Sequence, residues 1–326
     1  MMSKLTSFRN WGFDLVRVTE TAACVAGRWM GVGKRDEADL AATQAMAQSL
    51  DMLEFDGRIV IGEEEKLATR TLLETNRQVG TGQGPAMDVV VDPIDGRSLL
   101  VQGRPGAVAI AAAAPRGTMW SPKPAIYMEK IVVAREARDS LVAECMDAPA
   151  AWTLALIARI KQKTVRDLIV FVLDRPRHAE LIEEIRLAGA RVMLRSDGDT
   201  AGALMAASPD SKVDILMGIG GVPEGMVAAC GVKALGGAML GRLAPQSAVE
   251  RLAVKEAGLD TRQILTCDQL ISSNRVFFSA TGITDGPLLE GVRYRGDHAQ
   301  TQSLVLRSDT GSRRLIIAEH VLESGE

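Results

Sequence analysis

The segment Met87-Asp-Val-Val-Val-Asp92-Pro-Ile-Asp95-Gly96-Arg97 decides how this chain is read. A β-branched run that ends on Asp-Pro reads as a short strand entering a turn. Pro93 fixes the backbone and Gly96 permits a tight turn, so the carboxylates of Asp92 and Asp95 can face one point with the Ile94 carbonyl beside them. A second short run, Arg58-Ile-Val-Ile61, enters Gly62-Glu63-Glu64-Glu65 in the same way. Successive glutamates repel one another unless a positive charge sits among them. Taken singly, each turn also reads as an ordinary solvated or structural turn, since exposed charge is the rule. Together they favour a hard divalent cation, Mg²⁺ or Mn²⁺, held by oxygen ligands and able to engage a phosphate.

Outward from these turns the pattern is α/β. Phe13, Leu15, Val16, Val18, Ala22, Ala26 and Trp29 recur at helical spacing until Gly31-Val-Gly33, and a second helix is expected over 38–53. Strands are expected at 58–61, 87–91, 106–114 and 126–133. Beyond residue 148, helices at 150–160, 179–188, 200–207 and 224–232 alternate with strands at 168–173, 191–194 and 213–217. Such alternation argues for a parallel, helix-covered sheet. Strands return at 275–279, 303–307 and 314–318, and the change of pattern puts a domain boundary near residue 160.

Composition narrows the classes. The 326 residues carry 38 Lys+Arg against 41 Asp+Glu, a formal charge of -3, which is not the basic surplus of a nucleic-acid binder. A hydrophobic content of 47% excludes a disordered chain. The longest apolar run, 107–114, is far short of the roughly 18 residues of a membrane span. The N-terminal stretch lacks the apolar core of a secretory signal, so a cytoplasmic protein with no membrane or nucleic-acid partner is expected. Cys24, Cys145, Cys230 and Cys267 are scattered and read as reduced thiols, and His178, His298 and His320 are too dispersed for a zinc site.

Other segments stand in a definite order: Val18-Thr-Glu20-Thr-Ala-Ala, Asp56-Gly-Arg-Ile-Val-Ile-Gly-Glu63, Val79-Gly-Thr-Gly82, Tyr127-Met-Glu-Lys130, Arg175-Pro-Arg-His178, Asp197-Gly-Asp199, Gly218-Ile-Gly-Gly-Val-Pro-Glu224-Gly225 and Phe278-Ser-Ala-Thr-Gly-Ile-Thr284. With the Asp-Pro turn they resemble the magnesium-dependent, lithium-sensitive sugar and inositol phosphatase superfamily. Within it they resemble the bacterial class II fructose-1,6-bisphosphatases, over nearly the whole chain. The resemblance implies a layered α/β/α/β/α sandwich of two α/β units with the active site between them, residues 1–160 binding metal and 161–326 binding sugar phosphate. It implies hydrolysis of the 1-phosphate of fructose-1,6-bisphosphate by metal-activated water, in gluconeogenesis or Calvin-type carbon metabolism. Some members also hydrolyse sedoheptulose-1,7-bisphosphate. A homo-oligomer, dimer or tetramer, is implied too.

By the same resemblance, metal ligands fall on Asp39, Glu63, Asp92, Asp95 and Glu224. Substrate contacts fall on Asp95, Gly96, Arg97, Tyr127, Arg175, Pro176, Arg177, Asp197, Gly198, Asp199 and Gly221. Guanidiniums flanking Pro176 suit a phosphate through paired donors, although alone they read equally as a solvated helix start. Asp197 and Asp199 can accept hydrogen bonds from sugar hydroxyls. The chain departs from the family in several places: Asp95 stands where class II proteins have Glu, Arg97 where they have Thr and Leu67 where they have Asp, and residues 66–78 lack the family's acidic, Pro-containing sequence, with one residue inserted before Val79. The Thr and Asp pair helps activate water in the family. Ser98, Glu64 and Glu65 are candidate replacements, and Arg97 can add positive charge to the phosphoryl group. Glu65 and Arg97 are accordingly the expected catalytic residues. The alternatives are a catalytically weak homologue that binds a phosphosugar in a regulatory role, or a phosphatase of another small ester.

Overall fold

The computed structural model describes residues 9–62 and 72–322. From the N-terminus come α1 (Trp11–Ala26), α2 (Arg35–Asp51), β1 (Asp56–Ile61), β2 (Gln78–Val79), β3 (Ala86–Asp95), α3 (Arg97–Val101) and β4 (Val108–Pro115). Next are β5 (Tyr127–Val133), α4 (Ala150–Ile160), β6 (Ile169–Leu173), α5 (Ala179–Leu187), β7 (Arg191–Arg195), α6 (Asp199–Ala207), β8 (Ile215–Gly221) and α7 (Val222–Leu235). Then follow β9 (Ala238–Leu243), α8 (Ala248–Glu256), β10 (Leu265–Thr266), α9 (Cys267–Leu270), β11 (Phe277–Gly282), β12 (Arg293–Arg295), β13 (His298–Arg307) and β14 (Ser312–Val321). The chain is mixed α/β with two multi-stranded sheets and their helices, as a layered α/β sandwich requires.

Two compact units form, one from residues 1–119 and 273–326 and the other from 120–272. The boundary expected near residue 160 is therefore corrected. The C-terminal strands return to the first unit because β11 pairs antiparallel with β4, Phe278 opposite Ala112, while β5 pairs with β8 and β9. Long-range strand pairing of this kind leaves no mark on local hydrophobic pattern.

In the first unit the sheet runs β12-β13-β11-β4-β3-β1-β2, with β14 on β13. Asn10 caps α1 by accepting from the Gly12 N–H, and Leu15, Val18, Ala22 and Ala26 point into the core. Alanines dominate both contacting surfaces, Ala109, Ala111 and Ala113 on β4 and Ala22, Ala23 and Ala26 on α1, so helix and sheet approach closely. Each larger side chain buried in this core, such as Met46 or Leu50, contributes about 1.5–3 kcal/mol. Two of the ordered segments meet in this unit. Thr19 Oγ1 lies 2.8 Å from Ser279 Oγ and accepts from Thr281 Oγ1 at 2.7 Å, and Glu20 accepts from Ser303 at 3.3 Å. Burial pushes the Glu20 carboxyl above its ordinary value.

The second unit holds a sheet ordered β10-β9-β5-β8-β6-β7. Strands β6, β7 and β8 are parallel, as the alternation predicts, but the β8–β5, β5–β9 and β9–β10 pairings are antiparallel, so the sheet is mixed. Phe171, Val172, Leu154, Ile157 and Ile185 fill its core. Helix α6 packs tightly because Gly202 leaves room for Phe171: a Cβ there would stand 2.4 Å from the ring. Among the described residues no helix is long and apolar enough to cross a membrane, and all four cysteines are free.

Candidate active site

In the first unit, β3 delivers the acids. Its register against β4 shifts between Asp92 and Asp95, where three steps on β3 meet two on β4. The bulge turns this end of the strand. Asp92 and Asp95 are 2% and 3% exposed, and Asp92 Oδ1 accepts from the Ile94 N–H at 3.2 Å. Gly96 then takes φ +94°, a left-handed conformation that only glycine adopts readily, and a Cβ would press to 3.3 Å on the Ala107 Cα. That turn starts α3 with Arg97, whose Nη1 donates to Asp39 Oδ2 at 2.9 Å. Both partners are buried.

The structure therefore brings Arg97 to Asp39, two residues 58 apart in sequence, and the ion pair is the feature that sequence reasoning missed. Arg97 was expected to face a phosphoryl group; its guanidinium instead holds a carboxylate that the resemblance gives to metal. Glu63, Glu64, Glu65 and Leu67 lie outside the described residues. Among the described residues no three Asp, Glu, His or Cys side chains gather closely enough to hold a metal ion.

In the second unit the candidate residues collect at one edge of the sheet, where β6, β7 and β8 end and β5 begins. Arg175, Pro176 and Arg177 follow β6, Asp197, Gly198 and Asp199 follow β7, Gly221 ends β8, and Glu224 lies in the first turn of α7. Tyr127 joins them because β5 runs antiparallel to β8, with Tyr127 opposite Gly221. The carboxyl ends of parallel strands are where open α/β sheets bind ligands. Gly198, at φ +90°, caps α6, and Gly221 lets Glu224 fold back: a Cβ at Gly221 would lie 2.1 Å from Glu224 Oε2.

The charged groups at this edge are largely engaged within the protein, mostly with backbone groups. Arg177 donates from Nε and Nη2 to the Ile219 carbonyl at 3.1 and 2.8 Å, with its guanidinium 5.2 Å from the centre of the Tyr127 ring. Burial holds its pKa below the ordinary value. Arg175 is half-buried and reaches the Asp174 carbonyl at 3.5 Å. The Gly198 N–H donates to Asp197 Oδ1 at 3.2 Å. Asp199, expected to face sugar hydroxyls, points inward to a buried ion pair with Lys130.

Lys130 and His178 belong to the segments quoted above, yet nothing in those segments predicts their roles. Lys130 is fully buried on β5 and neutralises Asp199; Gly220 makes room for the pair, since a Cβ would stand 1.8 Å from Asp199 Oδ2. His178 donates from Nδ1 to the Leu173 carbonyl at 2.7 Å and accepts at Nε2 from the Ile219 N–H at 2.8 Å. Two such partners fix a neutral imidazole. Burial, with the Arg177 charge in support, pulls its pKa below 6.5 against the opposing hydrogen bond to Leu173. Arg177 and His178 thus hold the backbone of one residue, Ile219, through its carbonyl and its N–H.

Residues 9–320 match the family described as "Bacterial fructose-1,6-bisphosphatase, glpX-encoded". The chain is 36% identical over 328 aligned residues to the fructose-1,6-bisphosphatase class 2 of Haemophilus influenzae, covering 97% of each chain. It is 37% identical to fructose-1,6-bisphosphatase 1 class 2 of Escherichia coli K12, covering 97% of this chain and 96% of that protein. Identity at this level across the full length of both units places the sequence plainly: the chain belongs to the bacterial, glpX-type class 2 fructose-1,6-bisphosphatase family.

Proposed function

We propose that the protein hydrolyses the 1-phosphate ester of fructose 1,6-bisphosphate, giving fructose 6-phosphate and inorganic phosphate, and that it works in the cytoplasm as a homo-oligomer. The observation that carries this reading is the family match over residues 9–320, which spans both units and every segment quoted from the sequence. A phosphomonoesterase must place water in line with the P–O bond, neutralise the phosphoryl oxygens and protonate the leaving alkoxide. Arg175 at the second unit's strand edge suits the distal phosphate, with Arg177 and Tyr127 shaping the floor beneath it. Asp197 suits the sugar hydroxyls. Glu65 is our candidate for taking the proton from water, and Arg97 supplies fixed positive charge at the Asp-Pro turn.

The family's activity implies a divalent metal. We propose Mg²⁺ or Mn²⁺, which the oxygen-rich turns suit, with Glu63, Asp92 and Asp95 as ligands in the first unit. The described residues do not fit an ion at Asp39, because a guanidinium holds that carboxylate. The same ion pair favours a second reading, a homologue that binds the phosphosugar with little turnover. Phosphate release from fructose 1,6-bisphosphate, measured beside thermal stabilisation by the same compound, separates the two. Turnover with either cation supports the phosphatase; stabilisation without phosphate release supports the binding protein.

A further inference from the structure

Three buried carboxylates, Asp39, Asp92 and Asp95, belong to neighbouring elements of the first unit, 5%, 2% and 3% exposed. Burying a carboxylate is costly unless a cation or hydrogen bonds compensate it. At Asp39 the compensation is Arg97, which is itself 8% exposed and donates to its Oδ2 at 2.9 Å. A guanidinium does not lose its charge at any pH a cell meets, and this pair is too deep for salt to screen well. The backbone commits Arg97 to this direction. Gly96 at φ +94° and the helical turn that follows fix where its side chain begins.

We propose that Arg97 is the resident cation at Asp39, occupying the place beside that carboxylate that a divalent ion would otherwise take, so that the chain binds one divalent ion fewer than its acids alone would allow. A doubly charged ion on the Asp39 carboxylate would have to sit against a fixed positive charge. The consequence for phosphosugar chemistry rests on the phosphatase reading; the consequence for metal binding does not.

The test is Mn²⁺ binding to the substrate-free protein, by electron paramagnetic resonance of free Mn²⁺ and by calorimetry. Asp39→Asn is expected to leave the number of bound ions unchanged and their affinity within twofold. Arg97→Gln is expected to bind one additional Mn²⁺ per chain and to gain thermal stability from it, while Arg97→Lys behaves as the wild type. The double variant Asp39→Asn/Arg97→Gln removes both charges, so it keeps a fold that Arg97→Gln alone can lose, and it is expected to bind no additional ion. A tenfold or greater loss of Mn²⁺ affinity in Asp39→Asn would make Asp39 a metal ligand and overturn the proposal. An extra ion in the double variant, or none in a folded Arg97→Gln, would do the same. Because no substrate is present, failure here leaves the phosphatase reading standing, and absence of turnover on fructose 1,6-bisphosphate leaves this result standing.

Discussion

Replacing Lys130 by Met removes one charge of the second unit's buried ion pair and keeps most of the side-chain volume. The Lys130 side chain is 0% exposed and that of Asp199 9%, so the carboxylate left behind has almost no access to water. Breaking a buried pair from one side costs about 3–5 kcal/mol, because the surviving charge is uncompensated. Asp199 also sits in the first turn of α6, where the helix dipole returns about 0.3–1 kcal/mol to an acid. The expected loss is therefore about 3 kcal/mol, near the lower end of that range. Denaturant unfolding followed by circular dichroism measures it, as a lower midpoint at constant slope. Lys130→Met/Asp199→Asn removes the stranded charge and should recover more than half of the loss, giving a large coupling in the double-mutant cycle. A single-variant loss below about 1 kcal/mol, the value of an exposed pair, would refute the claim that this pair is buried and structural.

Gly202→Ala drives a methyl toward the Phe171 ring, 2.4 Å away, and should destabilise by about 1–3 kcal/mol in the same unfolding assay. His178 has a folded-state pKa below the unfolded 6.5, so the unfolded chain binds more protons as pH falls. The stability it contributes is complete above 6.5 and is lost as pH falls from there through the lower folded value; melting temperature measured across that window should drop in the wild type and lose this component in His178→Asn. Arg175→Ala, at the strand edge, should raise KM for fructose 1,6-bisphosphate about ten- to a hundredfold with kcat little changed, the signature of lost uniform binding to a charged group. Steady-state kinetics over a wide substrate range distinguishes this from a loss of kcat.

The alternation from α4 to α7 was legible because each element carries its own periodicity and most are followed closely by Gly, Pro or Asp. The first unit was only half legible. Strands β3 and β4 announce themselves through Val and Ala runs, but nothing local tells β11 to pair with β4, and so the discontinuous unit was missed. The candidate residues of the second unit could be placed at one sheet edge once the strand directions were known. Their engagement could not: the inward turn of Asp199 depends on Lys130, 69 residues earlier, and the hold on Ile219 depends on a carbonyl and an N–H with no side-chain signature. Arg97 was recognised as foreign to its turn. Its partner, Asp39, came only from the packing of α2 beside α3.

Phosphorus NMR of fructose 1,6-bisphosphate incubated with the purified protein and Mg²⁺ or Mn²⁺ follows the fate of each phosphate separately. Hydrolysis of the 1-phosphate requires loss of the C1 phosphate resonance, retention of the C6 resonance and growth of inorganic phosphate in equal amount, all abolished in Asp92→Asn. Unchanged resonances with both cations, or release of the C6 phosphate instead, would contradict it.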